Sequence, residues 1–296
     1  MDEFDGLLAE VRAFWSPLPD KPEETPEGLL RALWLTAVGA PASVEKAARA
    51  DLQALDAAAM HRLHGLVRRK KSGVPLAHLT GRQSFLGLEL LAGPAALIPR
   101  KETEILGRAA LAKLKILAKE RGTILVVDVC TGSGNLALAY AHDVHGARVY
   151  AADLSHEAVD LARKNCRHVG LETRIEIRQG DLLEPFESRE FLGKCDFLSC
   201  NPPYVSSAKV PAMHLEISGF EPELAFDGGV YGVSVLTRLV RNAPRFLKPG
   251  SWLGFEVGRG QGIRIARQLE RNAVFSELEH YTDSSGHIRA ILARTR

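Results

Sequence analysis

The sequence predicts an α/β fold, in which helices flank a mostly parallel sheet of seven strands and a small helical domain precedes it. From residue 102 onward, short apolar runs alternate with amphipathic stretches, as in a parallel sheet with helices on both faces. Before residue 84, apolar residues recur at helical spacing. A chain of 296 residues suits one catalytic domain with a smaller partner.

The chain is predicted to divide into three parts. Residues 1–83 form the helical domain, residues 84–100 a hairpin or linker, and residues 101–296 the catalytic domain. In the middle part, Gly87, Gly93 and Pro94 interrupt short apolar runs, which favours a hairpin over more helix.

The third part has an ordered series of predicted elements. Strands are predicted over 123–129, 147–153, 174–179, 196–200, 252–257, 278–281 and 289–293. Helices are predicted over 103–119, from 135 onward, and over 157–169, 234–247 and 262–272. The last two strands are close enough to pair antiparallel across a turn at 283–286.

Composition and charge argue against several classes of protein. A formal charge of +2 gives no reason to expect a direct nucleic acid partner, and no apolar run is long enough to cross a membrane. The acidic N-terminus lacks the pattern of a secretion signal, and the four cysteines lack metal-ligand spacing. We therefore expect a cytoplasmic protein without a metal site, acting as a monomer. The basic run 68–71 is interpreted as cations that complement the dipole of a helix end, with a contact to a polyanion as the alternative.

Small or acidic residues follow the first three predicted strands. Asp128 leads into a glycine-containing turn, Asp153 ends the second strand, and Gly180, Asp181 and Leu182 follow the third. The residues of the turn are Cys130, Thr131, Gly132, Ser133 and Gly134. Each aspartate alone is more often a helix cap or a turn former. Because ligands of open α/β sheets bind at the carboxyl ends of the strands, their joint position predicts a nucleoside site.

The chemistry of this turn favours S-adenosylmethionine as the ligand. The turn has neither the spacing of a dinucleotide fingerprint nor a phosphate-binding lysine, so a pyrophosphate ligand is not expected. S-adenosylmethionine carries positive charge, which the Asp128 carboxylate would favour. The Asp153 carboxylate could accept hydrogen bonds from both ribose hydroxyls, and Asp181 and Leu182 suit the edge and face of adenine.

The fourth strand runs into Asn201, Pro202, Pro203 and Tyr204, which suit a planar amide acceptor. An amide nitrogen is a weak nucleophile and has to be held in place by acceptors aimed at its hydrogens. The Asn201 side-chain oxygen and the Pro202 carbonyl can serve as these acceptors, and Tyr204 can form a flat wall. Proline has no N–H group, so it places no donor where an acceptor is needed. Asn201, Pro202 and Tyr204 are therefore the predicted catalytic residues, and with Pro203 they form the predicted substrate site.

Four motifs together resemble the protein glutamine N5-methyltransferases, a family of class I S-adenosylmethionine methyltransferases. They are DVCTGSG at 128–134, AAD at 151–153, GDL at 180–182 and NPPY at 201–204. Similarity extends from residue 75 to the end, through PLAHLTG, IPR with ETE, and FEPELA. The family acts on the Gly-Gly-Gln loop of peptide chain release factors or on a ribosomal protein.

The resemblance implies functions for particular residues. Residues 130–134, Asp153, Leu182 and Asn201 would bind S-adenosylmethionine, which leaves as S-adenosylhomocysteine. Residues 201–204 would bind the substrate glutamine, and the helical domain would dock the protein substrate. The sequence departs from the family pattern at Lys101, Cys130, residues 218–220 and residues 228–232.

Two other acceptors remain open at this level. A relative could methylate a small-molecule amide, amine or carboxylate, and NPPY loops also serve adenine N6-methyltransferases of nucleic acid. The near-neutral charge and the absence of a large inserted recognition domain argue against the nucleic acid acceptor. A binding module without activity would have damage in the turn at 128–134 or in the NPPY loop. Both of these motifs are intact here.

Overall fold

The structure is a computed structural model, and it describes residues 2–296. Its N-terminal part is helical, and the hydrophobic faces of its helices form a separate core around Leu29, Leu33 and Leu63. The helices are α1 (Asp2–Phe14), α2 (Pro26–Ala37), α3 (Val44–Ala47), α4 (Ala57–Lys71) and α5 (Leu76–Thr80). The Thr25 side chain accepts from the Gly28 backbone N–H at the start of α2, and the Asp56 side chain accepts from that of Ala59 at the start of α4.

A two-stranded antiparallel hairpin connects the helices to the main sheet. Its strands are β1 (Arg82–Phe85) and β2 (Leu88–Leu91). The hairpin starts inside the range predicted to be helical, because Gly81 ends α5 in the left-handed conformation at φ +67°. The boundaries of the three predicted domains remain a prediction.

The remaining elements alternate along the chain as predicted. In chain order they are α6 (Thr103–Arg121), β3 (Ile124–Val129), α7 (Asn135–Asp143), β4 (Ala147–Asp153), α8 (His156–His168), β5 (Ile175–Gln179), β6 (Cys195–Cys200), α9 (Leu215–Ser218), α10 (Ser234–Asn242), β7 (Leu247–Glu256), α11 (Gly262–Glu270), β8 (Phe275–Thr282) and β9 (Ile288–Thr295).

Within residues 2–296, these strands form one sheet of seven in the order β5-β4-β3-β6-β7-β9-β8. The first five strands of this order are parallel, and β9 pairs antiparallel with both β7 and β8. The prediction of a mostly parallel seven-stranded sheet is therefore confirmed, as is the antiparallel closing pair.

Helices cover both faces of the sheet. Along β3, Val126 belongs to the core formed with α6, α7 and α8, while its neighbour Val127 belongs to a second core that includes residues of α10 and α11. Successive side chains of a strand point to opposite faces, so a strand buried on both sides has a continuous apolar sequence. This explains why the sequence of β3 lacks the polar alternation of a half-exposed strand.

The predicted elements differ from the observed ones mainly at their ends. The predicted helix 234–247 ends as α10 at Asn242, and a short 3-10 turn from Ala243 to Arg245 follows, because Pro244 cannot continue the backbone hydrogen bonding. Strand β7 begins five residues earlier than predicted, at Leu247. No helix within residues 2–296 combines the length and apolar composition needed to cross a bilayer.

Candidate active site

The strand order places a crevice between β3 and β6. The chain leaves β3 for β4 and β5 on one side, then returns to build β6 and β7 on the other side. At such a switch point the loops after the two central strands diverge and leave a site at the carboxyl edge of the sheet. The turn after β3 and the NPPY loop after β6 are therefore neighbours, although they are far apart in sequence.

A cavity of about 740 Å³ lies at this edge. It is large enough for a nucleoside-sized ligand. Eight of the predicted site residues line it, namely Cys130, Thr131, Gly132, Asp153, Asp181, Leu182, Asn201 and Pro203. The structure therefore brings the predicted donor and acceptor residues to one cavity.

The turn after β3 is a tight backbone loop that faces the cavity. Cys130, Gly132 and Gly134 have φ values of +54°, +56° and +84°. A Cβ on Gly134 would lie 3.3 Å from the Ala162 Cβ, so glycine permits the close approach of α7 to α8. By contrast, no atom lies within 4 Å of the position of a Cβ on Gly132. The backbone at Gly132 therefore borders open space that a ligand can occupy.

Asp128 lies beneath the turn and is fully buried. Its carboxylate accepts from the Ser199 hydroxyl at 2.5 Å and from the Thr131 hydroxyl at 2.6 Å. Burial raises the pKa of Asp128 to about 6, against the lowering effect of these two hydrogen bonds. Asp128 thus fixes the turn from below and does not line the cavity. Its predicted contact with the ligand stays a prediction.

Asp153 joins the turn to the end of β4. Its carboxylate accepts from the backbone N–H of Gly132 at 2.8 Å and from that of Ser155 at 3.0 Å. Burial raises the pKa of Asp153, and these two donors oppose the rise. Each carboxylate oxygen can accept further hydrogen bonds. Asp153 can therefore accept hydrogen bonds from the hydroxyl groups of a ligand in the cavity.

The other four residues predicted to bind the methyl donor differ in position. Leu182 borders the cavity with φ +51°, and the carboxylate of its neighbour Asp181 pairs with Arg238 at 2.5 Å. Ser133 and Gly134, the last two residues of the turn, do not line the cavity. The Ser133 carbonyl accepts from Asn165, whose side chain also bonds both backbone groups of Leu91. Asn165 therefore connects the turn to the hairpin.

Asn201 reaches the cavity from the end of β6. Its Nδ2 donates to the Thr103 Oγ1 at 3.1 Å. Pro202 is buried and Pro203 borders the cavity. The Tyr204 side chain packs inward, where its hydroxyl accepts from Arg289 at 3.4 Å and the guanidinium lies 5.8 Å from its ring centre. The predicted contacts of Pro202 and Tyr204 with an acceptor stay predictions.

The segment after the NPPY loop, residues 205–233, folds back over that loop. We call the NPPY loop and this segment the acceptor side of the cavity, and the turn after β3 with Asp153, Asp181 and Leu182 the donor side. The backbone N–H of Gly228 donates to the Val205 carbonyl at 2.7 Å, which closes the segment into a loop. A Cβ on Gly228 would lie 2.5 Å from the Pro203 carbonyl oxygen, and one on Gly232 would lie 2.2 Å from that of Tyr204. Glycine at both positions is therefore needed for the close packing of residues 228–232 on the NPPY loop.

Buried ion pairs fasten this segment to the helical part and to the stretch just before α6. Glu216 accepts from Lys21 at 2.7 Å and from Lys70 at 2.8 Å, and its side chain is 5% exposed. Glu221 pairs with Arg100 at 2.5 Å and accepts from the Ile98 backbone N–H at 2.9 Å. Lys70 belongs to the basic run that was interpreted as a helix-end feature. It does lie in the last turn of α4, but it is buried against a carboxylate.

Apart from Cys130 in the turn after β3, the departures from the family pattern lie on the same side as this segment. The Lys101 ammonium pairs with Glu104 at 2.9 Å and also with Glu45 of α3. Gly219 packs against Leu215, where a Cβ would lie 2.8 Å from the Leu215 carbonyl oxygen. Lys101 therefore adds a contact between the helical part and the start of α6.

Several cavity residues were missed in the sequence. Thr103, Arg238 and the segment 94–97 line the cavity together with the predicted residues. Thr103 lies inside the ETE motif, which was noted only as similar to the family, and its bond to Asn201 spans ninety-eight positions. No local pattern indicates Arg238, because its position is set by the packing of α10 on the sheet.

Comparison with known proteins agrees with this geometry. Residues 107–217 match the family described as "Methyltransferase small domain". The N-terminal domain of human METTL16 in complex with SAH is similar in structure, with a TM-score of 0.52, 15% identity, and coverage of 76% of this chain and 82% of that one. Human methyltransferase 10 domain containing protein has a TM-score of 0.51 and 16% identity, with coverage of 70% and 88%. The fold and site define a class I S-adenosylmethionine-dependent methyltransferase.

Comparison of sequences identifies the family. The release factor glutamine methyltransferase of Moorella thermoacetica is 36% identical over 239 residues, which cover 81% of each chain. That of Geobacter sulfurreducens is 33% identical over 230 residues, with coverage of 78% of this chain and 76% of that one. That of Xylella fastidiosa is 38% identical over 217 residues, with coverage of 73% and 74%. The chain belongs to the release factor glutamine methyltransferase family.

Proposed function

We propose that this protein methylates the side-chain amide nitrogen, N5, of the glutamine in the Gly-Gly-Gln loop of a peptide chain release factor. One observation carries the proposal. Asn201 of the NPPY loop and the turn after β3 line the same cavity, at the ends of adjoining strands. An acceptor amide held by Asn201 would therefore lie beside the methyl donor. The names of the relatives support a release factor as the protein that carries the glutamine.

The donor side suits S-adenosylmethionine. Residues 130–132, Asp153 and Leu182 would hold it, in the open space next to Gly132. When bound, S-adenosylmethionine supplies a methyl group activated by a positive sulfonium. The buried Asp128 keeps the turn in shape through Ser199 and Thr131, so the cradle is formed before the ligand arrives.

On the acceptor side, the protein supplies position more than acid–base chemistry. The Asn201 Oδ1 and the Pro202 carbonyl would accept the two amide hydrogens and direct the nitrogen toward the donor. An amide nitrogen that has gained a methyl group loses its extra proton to solvent, so no side chain has to act as a general base. Rigid proline residues keep the two acceptors at a fixed spacing.

We propose that the helical part docks the protein substrate. It is joined through Lys21 and Lys70 to Glu216 of the segment that covers the NPPY loop. We propose residues 1–83 as the docking domain, residues 84–100 as the linker and residues 101–296 as the catalytic domain. The release factor would bind to the helices. Its Gly-Gly-Gln loop would then reach the cavity alongside the segment 205–233.

Mass spectrometry after incubation with methyl-labelled cofactor tests the function. A release factor from the same organism should gain one methyl group on its Gly-Gly-Gln peptide, whereas a release factor with that glutamine replaced by asparagine should not. The Asn201→Ala enzyme is the matched control, and its rate should fall by about 10² or more. A metabolite extract incubated in parallel tests the alternative. Label found only in small molecules would refute the proposal.

A further inference from the structure

Three backbone segments meet around one side chain, that of Gln261. They are the end of the NPPY loop at Tyr204, the segment 205–233 at Gly232, and the turn at Gly258 that follows β7. A Cβ on Gly232 would lie 3.0 Å from the Gln261 Nε2, and one on Gly258 would lie 2.9 Å from its Oε1. Glycine at these two positions therefore leaves the room that the Gln261 amide occupies.

The Gln261 amide bonds all three segments. Gln261 immediately precedes α11, and its side chain does not cap that helix. Its Nε2 donates to the carbonyl oxygen of Tyr204 at 3.0 Å and to that of Gly232 at 3.1 Å. Its Oε1 accepts from the backbone N–H of Gly258 at 2.9 Å. Both ends of the amide are thus engaged by backbone groups.

These contacts also determine which way the Gln261 amide points. A half turn about the last side-chain torsion would exchange Nε2 and Oε1. Oε1 would then face two carbonyl oxygens, and Nε2 would face the N–H of Gly258, so all three hydrogen bonds would be lost. The observed orientation is therefore the one that satisfies every group in contact with the amide.

The place of the Tyr204 backbone affects the acceptor groups of the NPPY loop. Two proline residues separate Tyr204 from Asn201. Proline restricts the backbone torsion φ, so a shift at one end of this short stretch is passed to the other end. Gln261 itself does not line the cavity. It can therefore act on the site only through the backbone that it holds.

We propose that Gln261 is a positioning residue of the methyl transfer. Its amide keeps the segment 205–233 on the NPPY loop. The loop in turn presents the Asn201 side-chain oxygen and the Pro202 carbonyl at a fixed place relative to the methyl donor. The inference rests on the proposed function in one respect, namely that these two groups hold the acceptor nitrogen.

Replacing Gln261 by a side chain of similar size tests this inference. Gln261→Met removes all three hydrogen bonds, so kcat for methylation of the release factor should fall about 10- to 100-fold, as expected for a misplaced reacting group. The affinity for S-adenosylhomocysteine in calorimetry should stay within about twofold, because the donor side keeps its own contacts. Gln268→Met, at an exposed position of α11, is the matched control and should keep wild-type kcat. Wild-type kcat in Gln261→Met would overturn the proposal.

Gln261→Glu separates hydrogen bonding from packing. The introduced carboxylate has nearly the same size and can still accept from Gly258. It has no hydrogen to donate, so it would face the carbonyl oxygens of Tyr204 and Gly232 without a bond. We expect kcat to fall at least as far as in Gln261→Met, while KM for the release factor changes by less than about threefold. Wild-type kcat in Gln261→Glu would mean that only size matters, and would overturn the proposal.

Hydrogen exchange in the free enzyme tests the same effect without a substrate. The backbone N–H of Gly228 donates to the carbonyl of Val205, which directly follows the NPPY loop. Its exchange therefore reports whether the segment 205–233 stays on the loop. In Gln261→Met, exchange at Gly228 should become about tenfold faster or more, whereas the donor-side N–H of Gly132 should exchange as in the wild type.

The exchange experiment also separates this inference from the proposed function. A wild-type enzyme that labels no release factor would contradict the proposed function, whereas faster exchange at Gly228 in Gln261→Met would still support Gln261 as the residue that holds the loop. Equal exchange at Gly228 in the wild type and in Gln261→Met would contradict the positioning inference alone.

Discussion

The donor side and the acceptor side of the cavity are stabilised in different ways. The donor side consists of short turns that directly follow buried strands, and its hydrogen bonds involve the turn residues themselves, as between Gly132 and Asp153. The acceptor side includes the segment 205–233, which is held by buried ion pairs to distant residues such as Lys21 and Arg100. The donor side is thus determined by the sheet, whereas the acceptor side depends on the helical part.

This difference matches the two ligands, a small cofactor on the donor side and a protein on the acceptor side. A cofactor common to many enzymes needs the same rigid cradle in each of them, and a turn at the end of a strand provides it. A macromolecular substrate requires a larger surface, which has to be assembled from remote parts of the chain. Perturbing each side should therefore change different measurements.

Removing Glu216 should give the largest effect. In Glu216→Ala, the Lys21 and Lys70 ammoniums remain buried without this partner, so we expect the free energy of unfolding to fall by about 3–5 kcal/mol. Urea unfolding followed by circular dichroism measures it. The exposed pair Glu187–Arg245 provides the control, and Glu187→Ala should change the same quantity by less than about 1 kcal/mol. Equal losses of unfolding free energy in Glu216→Ala and Glu187→Ala would contradict this prediction.

The pH dependence of stability should have opposite signs on the two sides. Burial raises the pKa of Asp128 from 3.8 to about 6, so the folded state gains less from Asp128 as the pH rises through this interval. Burial alone would raise the pKa of Glu216, but Lys21 and Lys70 more than offset this and lower it from 4.5. The stability from Glu216 is therefore complete above pH 4.5 and is lost as the pH falls through the lowered pKa.

Unfolding experiments on amide variants check these signs. Relative to Asp128→Asn, the wild type should lose up to about 3 kcal/mol of stability between about pH 4 and pH 6, from about two pKa units. Relative to Glu216→Gln, the wild type should lose stability only below about pH 4.5. Parallel curves for wild type and Asp128→Asn would contradict the raised pKa of Asp128.

Removing Asp153 should have a smaller effect that is confined to the donor side. Asp153→Ala removes the acceptor for the Gly132 backbone N–H and the proposed ribose contact. We expect about tenfold weaker binding of S-adenosylmethionine in calorimetry, which corresponds to about 1.4 kcal/mol. Asp160→Ala, at an exposed position of α8, should bind normally. Normal affinity in Asp153→Ala would refute the ribose assignment.

Much of the donor side could be predicted from the sequence. Strand β4 was predicted with the bounds that the structure shows, and the turn from Cys130 to Gly134 was placed between β3 and α7. Both features depend on neighbouring residues, namely apolar runs for the strands and small residues for the turn. The position of Asp128 under the turn was not predictable, because strand periodicity does not show whether a residue at a strand end faces the ligand or the core.

The acceptor side was predictable only as a motif. The residues of the NPPY loop and their planar amide chemistry were identified, but Thr103, which contacts Asn201, was not. Lys70 was interpreted only as one of the cations that complement the dipole of a helix end, and its burial against Glu216 was not expected. A local pattern records charge and periodicity and does not indicate which distant carboxylate a lysine will meet.

The sequence by itself determined the alternation of strands and helices, the donor turn and the family, because each depends on residues that are close in the chain. Only the tertiary structure decided which side chains meet at the cavity. The strand order brings β3 beside β6, α6 places Thr103 against Asn201, and ion pairs attach the segment 205–233 to the helical part and to Arg100. The physical reason is that hydrogen bonds and ion pairs act over a few ångströms in space, whereas the groups that form them are separated by up to about two hundred residues.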